Sequence, residues 1–520
     1  MADFDQAALE LALKRCETEP IHQLGQIQPH GALLVLSADS PCKVLQGSDN
    51  LERFFSLGLD QCLGQPLATL IGDKAFTQVK RLMLESSDGR AATGTVNRIL
   101  EHTSQNFQAR VFPAGATFVM EIMGEEDELQ GRQLADQLLA TQQALADSSD
   151  ETDIIRYFGR IAVITRQLIG FDRVMVYRFD TNWDGEVIAE SRKESTLSYL
   201  GNRFPASDIP MQARRLYTCN LVRQVADVDA QSVCVRPATN PRTGQPLDLT
   251  YSSLRSFSPV HIEYLRNMGV RSSMSISLLK NGELWGLIAC HHMESMHLSV
   301  ALQEAGAFVG RMATSKCASI EALDKRRLDS ESSRIVGQLL KYISTDAEDA
   351  ILRRLLPSLQ ALVDSTGIIV VIEGKQYVAG KVPDLGCTNA LFEWLCSQSA
   401  GESFCCDNLA ERFAPAASYA DIAAGLLASP ISPTMRNCIL WLREENLRTV
   451  HWAGNPEKSV EPGTDGELRI SPRKSFNAWT ESWRGRCAPW SAIETTTAAQ
   501  LAHAITAGLA QKRVVTQFHA

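Results

Sequence analysis

The chain is 520 residues long, 44% hydrophobic and 21% charged, with a formal net charge of -9. One hydrophobic core does not extend over that length, so about three folded units are expected, and the acidic balance excludes a general field for nucleic acid or an anionic membrane. No basic leader and no run approaching ~18 apolar residues is present, which reads as a cytoplasmic protein, and thirteen cysteines without Cys-x-x-Cys spacing point to reduced thiols rather than zinc ribbons or disulfides.

From Gly31 to about Ile122, apolar runs (Ala32 to Leu36, Phe107 to Val111, Thr117 to Ile122) alternate with turn-rich pieces, the pattern of a small antiparallel sheet with a few helices. A polar helix is expected from roughly Glu126 to Asp147. The next helix ends at Leu168-Ile169-Gly170, with the glycine as its stop. Strand Arg173 to Phe179 then turns through Asp184-Gly185 into Glu186 to Glu190. Asn281-Gly282 joins Ser273 to Lys280 and Glu283 to His291 as a type I′ hairpin.

Residues from about Ser299 to Tyr342 lack proline and carry Phe308, Met312, Ile320, Leu323, Ile335, Leu339 and Tyr342 at helical intervals. Such a helix outruns one domain's core, so its apolar stripe calls for a neighbour, and a second copy of the chain is the natural one. The succession of helix, glycine, apolar strand and tight turn recurs from Leu362 to Lys375, so the second and third units are expected to share a fold. Leu501, Ile505 and Leu509 then mark a last helix, as if leading to a further domain.

In Phe204-Pro205-Ala206-Ser207-Asp208-Ile209-Pro210 two prolines stiffen the backbone around one carboxylate, and His261 and His291 can reach the same pocket. Taken singly, Asp208 reads as a cap or turn residue, His261 as a core histidine and Cys16 as an inert thiol. A metal site is a weak rival, since two distant histidines and one aspartate lack the close ligand spacing of zinc motifs. An acid held beside two imidazoles fits a protonated ligand better, because a buried cation needs oxygen acceptors to keep its proton.

Together with Cys16-Glu17-Thr18-Glu19-Pro20-Ile21-His22 and Ile27-Gln28-Pro29-His30-Gly31, these residues resemble the bacteriophytochromes over nearly the whole chain. The resemblance implies an α+β protein of three domains, each an antiparallel sheet with flanking helices, joined by long helices: a PAS domain with an attachment arm (1–125), a GAF domain (126–320) and a PHY domain (321–520) with a tongue at about 445–490. It also implies a figure-of-eight knot, with the arm threaded through a GAF loop, an exception to the rule against threading.

The same resemblance implies covalent biliverdin IXα, joined by a thioether to Cys16. Related phytochromes use a cysteine immediately before the first pocket histidine, where this chain has Val260. Asp208 and Ile209 would lie beside the inner pyrroles, His261 at the pyrrole water and a propionate, and His291 at the ring D carbonyl. Arg223, Arg255, Tyr217, Ser258, Ser273 and Ser275 would hold the propionates, and Tyr177, Phe204 and Tyr264 would pack around ring D. His451-Trp452-Ala453-Gly454 and Ser471-Pro472-Arg473-Lys474-Ser475-Phe476 bracket a Gly/Pro-rich stretch that reads as a hairpin with a mobile tip and looks like the tongue. Arg473 would pair with Asp208, with Pro472, Ser475, Phe476 and Trp452 around it. Trp479-Thr480-Glu481 would serve when the tongue becomes a helix.

The implied function is red/far-red photoreception without enzymatic activity of its own. C15=C16 isomerisation would refold the tongue and move the long helices of a homodimer toward an output domain or response regulator, with no nucleic acid and no membrane as partner. No kinase, cyclase or helix-turn-helix signature is legible. The alternatives from the residues alone are a light-independent small-ligand regulator, for which Cys16 is dispensable, and an enzyme using Cys16 as nucleophile, which lacks a third orienting group.

Overall fold

Asn281 and Gly282 both adopt positive φ, 53° and 84°, the backbone of a type I′ turn, which asparagine and glycine tolerate best. The expected hairpin forms around them, between Ser272–Lys280 and Glu283–His292. The computed structural model describes residues 18–86, 90–100, 103–124, 128–343, 348–372, 374–398, 402–431, 435–446, 448–456, 459–462, 468–471 and 473–519. Two units form, Met1–Ala318 with His451–Trp479, and Ser319–Val450 with Thr480–Ala520.

In the first unit, β1 (Gln26–Ile27), β2 (Gly31–Ser37), β3 (Val44–Ser48), β4 (Ala92–Leu100), β5 (Thr103–Ala114) and β6 (Thr117–Gly124) build one sheet. β7 (Arg173–Phe179), β8 (Gly185–Arg192), β9 (Arg203–Phe204), β10 (Val222–Val225), β12 (Ser272–Lys280) and β13 (Glu283–His292) belong to a second, while β11 (Val233–Arg236) crosses to the first, between β1 and β3. β2 is buried along its whole length. Leu34 and Leu36 pack with Val79 and Leu82 of helix Asp73–Glu85, whereas Leu33 and Val35 pack with Val235, Leu247 and Leu254. A strand covered on both faces explains the unbroken apolar run Ala32 to Leu36.

The loop that carries β11 also holds the N-terminal arm along both edges. Val235 N donates to Gly25 O at 2.9 Å on one side, and Leu249 N to His22 O at 2.8 Å and Ser256 N to Gln26 O at 3.0 Å on the other. Gln28 N returns a bond to Leu254 O at 2.7 Å, the enclosure expected of a threaded segment. Helix Ile154–Ile169 starts where Asp153 accepts from the amides of Ile155 and Arg156, and stops at Gly170 with φ of 75°, the glycine end expected. The preceding helix runs Glu128–Asp147.

Helix Val300–Ile343 carries the chain from one unit to the other. Its expected apolar stripe divides. Ile320 and Ile335 are buried, while Phe308, Met312 and Leu323 are exposed; the side chains of Leu339 and Tyr342 lie outside the described set.

In the second unit, β14 (Gly367–Ile372), β15 (Lys375–Gly380), β16 (Phe404–Cys406), β17 (Gly425–Pro430) and β18 (Cys438–Arg443) form an antiparallel sheet ordered β15-β14-β18-β17-β16. The helix before β14 and the turn through Gly374, with φ of 79°, repeat the plan expected from Leu362 onward. Trp441 is fully buried and donates from Nε1 to Leu359 O at 2.8 Å. Arg443 donates to Val363 O, Asp364 O, Ala488 O and Pro489 O, pairs with Glu494, and lies 3.9 Å from the Trp490 ring centre. Leu501 and Ile505 of the last helix, Ala492–His519, enter this core; the Leu509 side chain is outside the described set.

β19 (Arg448–Ala453) pairs in parallel with β9 through Trp452 and Arg203. β20 (Ser459–Pro462) and β21 (Leu468–Ser471) form the expected hairpin, with Ser459 opposite Ser471, and β22 (Ala478–Trp483) follows. The tip at 463–467 and Pro472 lie outside the described residues.

Candidate functional site

β10, β12, β13 and β7 run side by side, so residues in register form rows across them. Arg173, His291, Ser273 and Val225 make one row, Met175, Ala289, Ser275 and Arg223 the next, and Tyr177 with Leu287 begins a third. Side chains two apart on a strand share a face. All of these except Arg173 line one cavity of about 750 Å³, counting the part open to solvent. The sheet is its floor.

The opposite wall comes from two short elements. Pro205, with φ of -70°, leads into the single turn Ala206–Asp208, anchored where Ala206 N donates to Asp184 Oδ1 at 2.9 Å. Helix Pro259–Asn267 has proline in its first turn, where the missing amide costs nothing, and presents His261 and Tyr264 on one face. The His261 ring lies between Phe257, at 5.5 Å and 24°, and Tyr264, at 6.3 Å and 10°. Asp208 ties the two elements of this wall together and binds Arg473: its Oδ2 accepts from the Tyr264 hydroxyl at 3.2 Å and its Oδ1 from Arg473 at 3.0 Å.

Burial, with Arg223 adding to it, pushes His261 down to about 4. Burial, then Arg173 and His261, hold His291 well below the ordinary imidazole range. Both rings are therefore neutral near pH 7. Burial raises the Tyr177 and Tyr264 phenols well above their usual range, so both keep their protons. Tyr177 packs on Phe204 at 5.8 Å.

Arg223 and Arg255 are about 95% buried. Arg223 donates to the carbonyls of Ser252 at 2.8 Å, Ser253 at 3.1 Å and Arg255 at 2.8 Å, and stacks on Phe257 at 4.5 Å. Arg255 donates to Ile21 O at 2.9 Å. Neither pairs with a carboxylate among the described residues, and each keeps a buried Nε without a partner. Burial accordingly depresses both, Arg255 to about 10 and Arg223 well below its usual range. Two buried cations without counter-ions fit a ligand that carries carboxylates.

Eleven of the expected site residues line the cavity together: Tyr177, Phe204, Asp208, Ile209, Tyr217, Arg223, His261, Tyr264, Ser273, Ser275 and His291. Arg255 and Ser258 stand outside that lining and hold the arm instead, Ser258 donating to Glu19 Oε2 at 3.0 Å. Cys16 lies outside the described residues. Of the signalling set, Arg473 also donates to Ala453 O at 2.6 Å, Phe476 meets Tyr264 edge-on at 5.1 Å, and Trp452 stacks 5.7 Å from Arg203. Ser475 and Glu481 are exposed, Trp479 is half exposed, and Ser475 Oγ accepts from Asn477 N at 3.3 Å.

Sequence reasoning passed over Met175, Leu287, Ala289, Phe257 and Glu121. The first three were findable, since they fall in phase with Tyr177 and His291 on strands already expected. Glu121 gives no local signal. Fully buried on β6, its carboxylate accepts from Ser252 Oγ at 2.5 Å, Ser253 Oγ at 2.6 Å and Leu254 N at 2.9 Å, fixing the loop that carries Arg255.

Three family models match in succession: a PAS fold over residues 16–123, a GAF domain over 153–314 and a phytochrome region over 332–514. The chain is 36% identical over 512 residues to cyanobacterial phytochrome B of Nostoc sp., covering 97% of this chain and 67% of that protein. It is 34% identical to bacteriophytochromes of Xanthomonas campestris pv. campestris, covering 94% and 78%, and of Pseudomonas aeruginosa, covering 94% and 66%. The chain thus spans about two thirds to three quarters of these relatives. A crystal structure of a bacteriophytochrome from R. palustris matches with TM-score 0.84 at 28% identity, over 96% of this chain and 99% of that one. The Stigmatella aurantiaca phytochrome photosensory core module matches at 0.82 and 33%, over 95% and 98%. With three such domains in order, a fold shared along nearly its whole length and identity of 34% to a bacteriophytochrome of which it covers 78%, the chain belongs to the phytochrome family.

Proposed function

We propose that this chain is a red/far-red light sensor holding biliverdin IXα in the cavity above β7, β13 and β12, and not itself an enzyme. The observation that carries this reading is the charge arrangement: Arg223 on the cavity lining with Arg255 next to it, two buried guanidiniums without acids, and a neutral imidazole on the floor strand at another side. A linear tetrapyrrole with two propionates and terminal carbonyls matches both. Bound there, the bilin supplies absorption of red light and a C15=C16 double bond whose isomerisation captures the photon's energy.

Arg223 and, next to it, Arg255 would hold the propionates, with hydroxyls of Tyr217, Ser273 and Ser275 as further donors; Ser258, whose proton goes to Glu19, would join them by giving up that bond. The Asp208 main-chain carbonyl and neutral His261 supply acceptors for the inner N–H groups and their water, with Ile209 packing beside them. Tyr177, Phe204 and Tyr264 enclose the end that must turn. Cys16, three residues before Glu19, would add its thiol across a vinyl group to form the thioether, and Val260 leaves no thiol beside His261 for the alternative attachment.

The pair Asp208 and Arg473 joins this pocket to the tongue, with Pro472, Ser475, Phe476 and Trp452 shaping the docked form and Trp479 and Glu481 serving an alternative one. Losing that pair strands two mostly buried charges, a change on the order of 3–5 kcal/mol, enough to bias a two-state segment. The proposed domains are 1–125, 126–320 and 321–520. Phe308, Met312 and Leu323 suit a homodimer, and a C-terminal output domain or response regulator in the cytoplasm would receive the signal.

The test is to load the purified protein with biliverdin and record absorption before and after red and far-red light. Reversible photoconversion is expected, with Cys16→Ala giving pigment that organic solvent extracts. A colourless or unswitchable product refutes the reading.

A further inference from the structure

Arg173 on β7 is the cross-strand partner of His291 on β13, and its Nη2 lies 2.9 Å from His291 Nδ1. A guanidinium has donors and no acceptor, so Nδ1 must accept and the ring proton must sit on Nε2. Nε2 has no protein partner among the described residues, and the ring lines the cavity. We infer that Arg173 is a positioning residue that locks His291 as the neutral Nε2–H tautomer, so that the imidazole offers the cavity one permanent donor. Resting on the bilin reading, this decides which group lies opposite: the carbonyl oxygen of a terminal lactam, never its N–H.

The lock is built into the core. Arg173 is fully buried, donates from Nη1 to Leu197 O at 2.9 Å and lies over the Tyr199 ring at 4.4 Å. It forms no ion pair with a carboxylate among the described residues. Glu190, the acid nearest in effect, is engaged by Ser198 Oγ, Tyr199 N and Arg192. The guanidinium is therefore positioned by a carbonyl and a π-face, and its charge opposes a second positive charge on His291. Rotating the ring to present Nδ1 to the cavity would aim Nε2–H at a cation.

The experiment reads ring nitrogens by NMR in apoprotein labelled with 15N-histidine, with His291→Gln assigning the signal. The expected result is a single tautomer, Nε2 protonated and Nδ1 bare. In Arg173→Met this gives way to a mixture of tautomers, and Arg173→Lys, which keeps a cationic donor, restores it. A residue that merely pinned the Leu197 loop would leave the tautomer unchanged. An Nδ1–H signal in the wild type overturns the inference even if Arg173→Met does not fold, as does an unaltered signal in a folded Arg173→Met.

With biliverdin loaded, the vibrational band of the terminal carbonyl should shift in Arg173→Met and not in Arg173→Lys; a band that stays put defeats the assignment of the facing group. Failure to take up biliverdin at all defeats the functional reading, and the tautomer measured without pigment still decides the lock.

Discussion

Asp208 and Arg473 stand 265 residues apart in sequence and meet at 3.0 Å, with side chains only 12% and 10% exposed. The carboxylate is also held by the Tyr264 hydroxyl, so the tongue is tied to the same oxygen pair that orders the pocket wall. Arg473→Gln should weaken docking of residues 451–479 by about 3–5 kcal/mol, the usual cost of stranding one member of a buried pair. Hydrogen exchange at Ala453, Gly454 and Asn477 would show it as faster opening. The Asp208→Asn and Arg473→Gln double variant should lose less than the sum of the two.

Gly454 has φ of 88°, and a Cβ there would sit 2.1 Å from Ser475 O. Backbone and clash act together, so Gly454→Ala should cost about 2 kcal/mol or more. The loss should appear as proteolytic cutting within the tongue while thermal unfolding of the second unit is unchanged. Equal resistance in wild type and variant would contradict the close approach.

Glu121 is a remote support for the arginine pair. Glu121→Ala leaves Ser252 Oγ, Ser253 Oγ and Leu254 N without their acceptor and should destabilise the first unit by on the order of 3 kcal/mol. Biliverdin affinity should fall with it, because Arg223 depends on the Ser252, Ser253 and Arg255 carbonyls. Chemical denaturation and titration with biliverdin measure the two effects separately.

The apoprotein should lose stability as pH falls from about 6.5 to about 4. His261 is ordinary in the unfolded chain but pushed down to about 4 in the fold by burial and Arg223. The unfolded state therefore binds a proton in that window and the folded state refuses it. At about 1.4 kcal/mol per pH unit the His261 contribution is capped near ~3 kcal/mol. His30, pushed down to about 3 chiefly by burial, acts with the same sign. His261→Gln should flatten the slope in denaturation curves taken across this range; an unchanged slope would exclude His261 as its source.

Much of the fold was legible because its signals are local. Asn281-Gly282 marked a hairpin, Gly170 a helix stop, and the run Ala32 to Leu36 a strand of a small antiparallel sheet, whose covering on both faces only the structure showed. The apolar stripe of Val300–Ile343 was read as one surface, yet Ile320 and Ile335 are buried and Phe308, Met312 and Leu323 exposed, since periodicity does not say which turn of a helix has a neighbour. The site was legible in its parts. Asp208, His261 and His291 stood out as polar groups in rigid or apolar settings, whereas Glu121 and Arg173 look like ordinary strand residues until their partners are known.

What sequence alone determined was which residues have restricted choices: prolines around one carboxylate, glycines where φ must be positive, alternation that puts Tyr177 and Met175 on one face. What only tertiary structure decided was pairing over long separations. Register between β7 and β13 sets Arg173 against His291, and the folded tongue brings Arg473 to Asp208. Hydrogen bonds and charge pairs depend on distances of about 3 Å, and no local preference along a chain fixes a distance between residues more than a hundred positions apart.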